Sequence, residues 1–209
     1  AEYAQVARTL APLPMPVYLM PGNHDDRQQL RAAFPRHTYL GAEGFMQYSV
    51  QVGRLRLLAL DTVVPGQPHG ELCATRLSWL HAQLDAHRDK PVIVAMHHPP
   101  FATLVGHMDE MALLGGAAEF ERLIGQYPNV ERVVCGHVHR AIETRFAGTI
   151  ASVAPGTAHQ IELDLAPHAP PAWTLEPPGF AVHACAESGR VVSHLVATGP
   201  HPGPFAFGD

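Results

Sequence analysis

Fifteen of the 209 residues are histidine, and five of them fall in three short polar clusters: Gly22-Asn23-His24-Asp25, His97-His98-Pro99 and Gly136-His137-Val138-His139. Imidazole nitrogens with an amide oxygen suit a first-row divalent ion such as Zn, Mn, Fe or Co. In His137-Val138-His139 the side chains at i and i+2 of an extended turn lie on one side and can address two adjacent ions. Gly136 lets the backbone approach closely. Asn23 offers a neutral, displaceable oxygen. His24 beside Asp25 has the make-up of a general acid whose charged form a carboxylate supports.

These residues meet only if the elements ahead of them share one sheet. Each cluster follows an apolar run that reads as a strand: Val17 to Met20, Val92 to Met96, and Val130 to Cys135. Ligands in open α/β sheets bind beyond the carboxyl ends of the strands, so three loops there can surround one point. A short helix is expected over Tyr3 to Ala11, and a second from about Arg27 to Phe34 capped by Asp26. Strands at Met46 to Val52 and Leu55 to Leu60 turn about Val52-Gly53-Arg54. Leu77, Leu80 and Leu84 mark a helix over Thr75 to Ala86, and Glu119 to Gln126 a further one. The order is βαββαβαβ. Beyond it, Ile142 to Phe146, Ile150 to Val153 and His159 to Leu165 read as short, mostly antiparallel strands. A Pro-rich connection then leads to a hairpin of Phe180 to Cys185 with Val191 to Val196. The tail from Gly199 is expected to run extended and to pin itself by Phe205 and Phe207.

Composition bounds the rest. Hydrophobic residues make up 46% and charged residues 16%, which describes a chain able to bury a core and excludes intrinsic disorder. The net charge of −5 and scattered basic residues give no footprint for duplex nucleic acid or an anionic membrane. The longest apolar stretches fall far short of the ~20 residues of a membrane helix. Cys73, Cys135 and Cys185 are odd in number and widely spaced, which fits neither a disulfide framework nor a CxxC site and points to a reducing cytoplasm. The opening AEYAQVARTL lacks an N-cap and reads as the middle of a helix.

The set GNHD, H-x-P and GHxH, in that order, resembles the calcineurin-like metallophosphoesterases, and within them the bacterial class III cyclic-nucleotide phosphodiesterases and glycerophosphodiesterases. The resemblance runs through MPGNHDDR, LDTVVPG, LSWLHAQL, MHHPPF, HMDEM, CGHVHR and PGTAHQIELDL to the C-terminus. It implies a four-layer αββα sandwich with two divalent metal ions (Fe, Mn, Zn or Co), where a metal-bridging water or hydroxide attacks phosphorus in line. Carried over by motif, Asn23, His97 and His137 are ligands of one ion and His139 of the other. His24 resembles the histidine that contacts the phosphate and assists the leaving alkoxide, with Asp25 orienting it. His159 corresponds to a substrate-binding group. His98 stands one remove from the ion. The implied function is metal-dependent hydrolysis of small phosphodiesters such as 3′,5′-cyclic nucleotides or glycerophosphodiesters, in a cytoplasmic homo-oligomer of two or more copies.

The family's Asp-x-His and Gly-Asp-x-x-Asp motifs have no counterpart in the sequence, and with them goes the bridging carboxylate. The expectation is therefore a core over 1–165 lacking its N-terminal strands, followed over 166–209 by a Pro-rich connection, hairpin and tail. A fragment of this kind is expected to be inactive by itself and to leave its sheet unpaired at an interior position. A phosphomonoesterase of the same fold, and a non-catalytic binding module, are the alternative functions. Thr103 to Gly116, with His107, Met108 and Asp109, lies where a loop can cover the substrate. Thr62 is placed to hydrogen-bond a ligand.

Overall fold

Period-two alternation in the apolar strands gives each a face for two different layers. The computed structural model describes residues 2–200 and 202–207. Its centre is a six-stranded sheet in the order β1 (Tyr48–Val52), β2 (Leu55–Ala59), β4 (Val92–Met96), β6 (Val130–Cys135), β8 (Thr149–Val153) and β7 (Ile142–Phe146). The inner pairs β2–β4, β4–β6 and β6–β8 are parallel, and the two edge pairs are antiparallel. A two-residue turn at Gly53-Arg54 joins β1 to β2, with Val52 opposite Leu55. Parallel neighbours require crossovers. Helix α3 (Ala74–Ala86) lies between β2 and β4 in sequence, and α5 (Ala117–Ile124) between β4 and β6.

Leu80 and Leu84 of α3 and Phe120, Leu123 and Ile124 of α5 pack on Leu58, Val94 and Val133 from one face of the sheet. On the other face Leu55 and Ile93 are buried against Val191, with Leu57, Val134 and Cys185 beside them. Val191 opens β12 (Val191–Ala197), which pairs antiparallel with β11 (Gly179–Cys185). Arg132 of β6 ties down the same hairpin by donating to the Val191 carbonyl (2.9 Å). Further along that face, α1 (Glu2–Leu10) and α2 (Arg27–Ala33) close a smaller core around Leu30, Phe34, Leu40, Met46, Tyr48 and Ala59. Asp26 caps α2, accepting from the Gln29 amide at 2.8 Å.

The fold is thus mixed α/β, with a central sheet, α3 and α5 on one face, and the C-terminal hairpin with α1 and α2 on the other. Several local expectations need correction. Val17 to Met20 is not in a strand. Tyrosine hydroxyls take the place of a ladder: Tyr39 accepts from the Leu19 amide (2.7 Å) and donates to the Val17 carbonyl (3.2 Å), while Tyr48 donates to the Leu19 carbonyl (2.9 Å). The six-stranded sheet is continuous from β1 to β7, so the expected unpaired interior position is not found among the described residues. The run from His159 to Leu165 forms strand only at β9 (Gln160–Ile161), which pairs with β10 (Trp173–Thr174) inside the Pro-rich connection. Thr103 to Gly116 is a packed segment, with α4 (Gly106–Asp109), β5 (Leu113–Gly115) paired to β3 (Gly70–Glu71), and Val105 and Met108 buried. Phe205 is 78% exposed and Phe207 fully so, so the aromatics do not pin the tail.

Candidate metal centre

Three loops at the carboxyl ends of the 17–20 segment, β4 and β6 bring Asn23, His97 and His137 together. His97 Nε2 lies 2.9 Å from Asn23 Oδ1 and 3.2 Å from His137 Nδ1. Two ligands about 2.0–2.1 Å from one ion, at tetrahedral or octahedral angles, stand about 2.8–3.4 Å apart. The observed spacings match that geometry for His97 with each of its two neighbours. The other nitrogen of His137, Nε2, is buried without a hydrogen-bond partner. The Met111 backbone influences this ring, but no hydrogen bond of normal geometry reaches Nε2.

Local backbone serves this convergence. Asp25 folds the GNHD loop back on itself: its amide donates to the Gly22 carbonyl (3.0 Å) and its Oδ2 accepts from the Gly22 amide (2.8 Å). The Tyr3 hydroxyl donates to the other carboxylate oxygen (3.0 Å). The Asp25 carboxylate is thereby engaged with the loop and α1. Gly22 lies against the face of the His97 imidazole, where a Cβ would come within 2.7 Å of Cε1. Only glycine permits that contact. His137 and His139 both adopt positive φ, 71° and 51°, a conformation that costs a non-glycine residue of order 1–3 kcal/mol and clusters at functional sites.

Burial holds the imidazoles neutral, with their lone pairs free to bind a cation. The His97 pKa is driven from 6.5 to about 2 by burial first and the neighbouring His98 and His137 next. His137 falls to about 4, again by burial first and then by His139. His139 is lowered by burial and by His159, whose Nε2 lies 3.1 Å from His139 Nδ1. His24 is exposed, yet near enough for its charge to depress His97, His137 and His139.

His98 also stands in the cluster, and His97, His98 and His137 each offer a donor within 4.8 Å of the others. Its ring is already committed: Nδ1 to the Thr62 hydroxyl (2.7 Å) and Nε2 to the Pro68 carbonyl (3.1 Å). His98 therefore buttresses His97, and Thr62, fully buried, serves His98 instead of a ligand. Among the described residues the converging group contains no carboxylate. The set fits part of one ion's shell with neutral donors, and His139, its Nδ1 3.1 Å from His159 Nε2, lies outside that group.

Sequence reasoning missed a buried support below the loop. Asp61 at the end of β2 accepts from Arg27 through both carboxylate oxygens (2.6 and 2.7 Å) and from the amides of Met46 (2.9 Å) and Val63 (3.0 Å). Arg27 directly follows the GNHDD run, so this ion pair fixes the start of α2 to the sheet. Phe45 lies under both Arg27 and Arg76. The only sequence signal was a polar Asp-Thr pair closing an apolar strand.

A sequence model of calcineurin-like phosphoesterases matches residues 2–141. A probable glycerophosphodiester phosphodiesterase of Arcobacter nitrofigilis is 32% identical over 99% of the chain and 76% of its own length. A probable cyclic nucleotide phosphodiesterase of Rhodopseudomonas palustris is 35% identical over 92% of the chain and 70% of its own. Among solved structures, a dimetal phosphatase from Danio rerio superposes with a TM-score of 0.53 at 16% identity, over 67% of this chain and 60% of that one. At that identity the likeness speaks to the fold alone.

Proposed function

The chain belongs to the calcineurin-like phosphoesterase family, and from that premise we propose that it is a metal-dependent phosphodiesterase acting on small phosphodiesters, 3′,5′-cyclic nucleotides or glycerophosphodiesters. The observation that carries the proposal is the spacing of Asn23 Oδ1, His97 Nε2 and His137 Nδ1, at 2.9 and 3.2 Å. The names of its relatives support the substrate class.

In this reading Asn23, His97 and His137 hold one divalent ion and His139 takes part in holding a second, drawn from Fe, Mn, Zn and Co. Such ions supply Lewis-acid polarisation of the phosphoryl oxygens and a nucleophile at neutral pH. The chain's own residues do the remainder. His97 and His137, kept neutral, offer lone pairs and no repelling charge. His24, exposed at the apex of its loop, donates a hydrogen bond to the phosphoryl group and passes a proton to the departing alkoxide. Asp25 acts through the loop, whose turn it closes on Gly22, and so fixes where His24 stands. His159, against His139, faces the substrate side.

Three finer readings go with this one. The division into a core over 1–165 and a C-terminal unit over 166–209 is supported by the β11–β12 hairpin, which forms a two-stranded sheet of its own. A homo-oligomer is supported by the exposed Phe180, Val182, Val192 and Leu195 of the hairpin. A cytoplasmic location is supported by three free cysteines. Among the described residues, no helix is long and apolar enough to cross a membrane.

The test is metal content by elemental analysis after reconstitution with Mn or Zn, together with hydrolysis of 3′,5′-cAMP, glycerophosphocholine and bis(p-nitrophenyl) phosphate. Bound metal lost in His97→Ala, with diesters cleaved in preference to p-nitrophenyl phosphate, is the expected result. No metal uptake, or a preference for the monoester, overturns the proposal.

A further inference from the structure

The β9–β10 ladder carries an aromatic side chain that the reaction described above does not use. Trp173 is 64% exposed, an unusual state for the residue type with the largest apolar surface. Its ring meets His159 edge-on, with centroids 5.8 Å apart and planes at 67°. His159 in turn meets His139, with centroids at 4.7 Å. Two ring-to-ring steps therefore join the indole to a candidate metal ligand. At 64% exposure the indole keeps most of its surface open to solvent.

The indole is also held in place. Trp173 pairs across the ladder with Ile161. Arg140, the residue after His139, donates to the Ile161 carbonyl and forms a two-point ion pair with Glu176 (3.1 and 3.0 Å). Strand β9 and the segment just after β10 are thus tied to the residue that follows His139. Gly156 lets the 156–160 loop pack on His139, since a Cβ there would meet the His139 Cβ at 3.1 Å. The indole's position relative to the site is set by these links in advance of any ligand, which is what a preorganised recognition surface requires.

Resting on the phosphodiesterase reading, we infer that Trp173 is the stacking platform for the base of a nucleotide whose phosphate lies at the His-lined centre, so that the site selects nucleoside phosphodiesters over glycerophosphodiesters. Every nucleobase has a π-face, and base-on-aromatic stacking discriminates a nucleotide from a polyol phosphate without reading base identity. Hydrogen-bond donors on this lobe are not required.

The test uses the chain with excess zinc and two probes, AMP, which carries phosphate and base, and glycerol 3-phosphate, which carries phosphate alone. The second tryptophan, Trp79, is partly buried against the core, so Trp79→Phe leaves Trp173 as the sole indole reporter. AMP is expected to quench its emission saturably, and glycerol 3-phosphate to leave it unchanged. In the otherwise unsubstituted chain, Trp173→Ala removes an exposed side chain and is expected to lower the AMP-to-glycerol 3-phosphate affinity ratio, by equilibrium dialysis, about tenfold. AMP binding without quenching, an unchanged ratio in Trp173→Ala, or no AMP binding at all overturns the inference. An indole emission that follows protein concentration and ignores nucleotide places Trp173 between copies of the chain and overturns it too. Base-dependent quenching in a chain that hydrolyses no diester upholds the stacking platform and overturns only the catalytic reading. Diester hydrolysis with an unchanged ratio does the reverse.

Discussion

The sharpest perturbation of the centre is a single methyl group, in Gly22→Ala. A Cβ built on Gly22 stands 2.7 Å from Cε1, 2.9 Å from Nδ1 and 3.0 Å from Nε2 of His97, so it presses into the ring face. Carbon atoms rest comfortably at about 3.5 Å or more, and from 2.7 Å the imidazole must retreat by about 0.8 Å. Metal–ligand distances tolerate only about 0.2 Å. The backbone is no obstacle, because Gly22 lies outside the left-handed region, so the variant is expected to fold. Displaced supporting contacts of this kind lower metal affinity or activity about 10- to 100-fold. The assay is zinc or manganese titration by calorimetry, with diester kcat/KM alongside and circular dichroism to establish the fold. Gly136→Ala provides the control, since its Cβ would stand 3.4 Å from His97 Nδ1, near enough to ordinary contact that a much smaller loss is expected. A Gly22→Ala chain with native circular dichroism and undiminished metal affinity would refute the assignment of His97 as a ligand held against this loop.

Two further outcomes follow from buried groups elsewhere. Asp61→Asn breaks the Arg27 pair inside the sheet end and is expected to lower unfolding free energy by about 3–5 kcal/mol, read by urea titration; a change under about 1 kcal/mol would show that the pair does not anchor α2. His183 of β11, hydrogen-bonded to Ser193 Oγ (2.8 Å), has its pKa lowered by burial first and by Arg132 next. Because its folded pKa lies below the unfolded value of about 6.5, the folded state takes up a proton less readily. Its contribution to stability is whole above that pH and declines as the pH falls below it. Urea unfolding at pH 7 and pH 5 should show a loss on acidification that is smaller in His183→Gln, and an equal loss in both chains would show that His183 does not contribute.

The residues of the candidate metal centre were legible because each motif is short, contiguous and preceded by an apolar run. Period-two and helical spacing placed β4, β6 and α3, and the Asp26 cap announced α2. Local chemistry of that kind is encoded within a dozen residues and survives whatever the chain does elsewhere. Strand pairing is different, since a ladder needs a partner that may lie far away in sequence. Val17 to Met20 has strand composition, yet three tyrosine hydroxyl bonds from residues 39 and 48 satisfy its backbone. The same holds for side chains whose roles are decided by distant neighbours. His98 and His97 are adjacent and identical in type, but Thr62 and the Pro68 carbonyl occupy both nitrogens of one and leave the other to Asn23 and His137. Asp61 becomes an anchor only when Arg27 arrives, and Trp173 meets His159 only when β10 pairs with β9. The sequence determined the donor atoms and the two strands, β4 and β6, that carry the histidines. Tertiary structure decided which donors remain free, because a lone pair's availability depends on every polar group that folding brings within hydrogen-bonding reach.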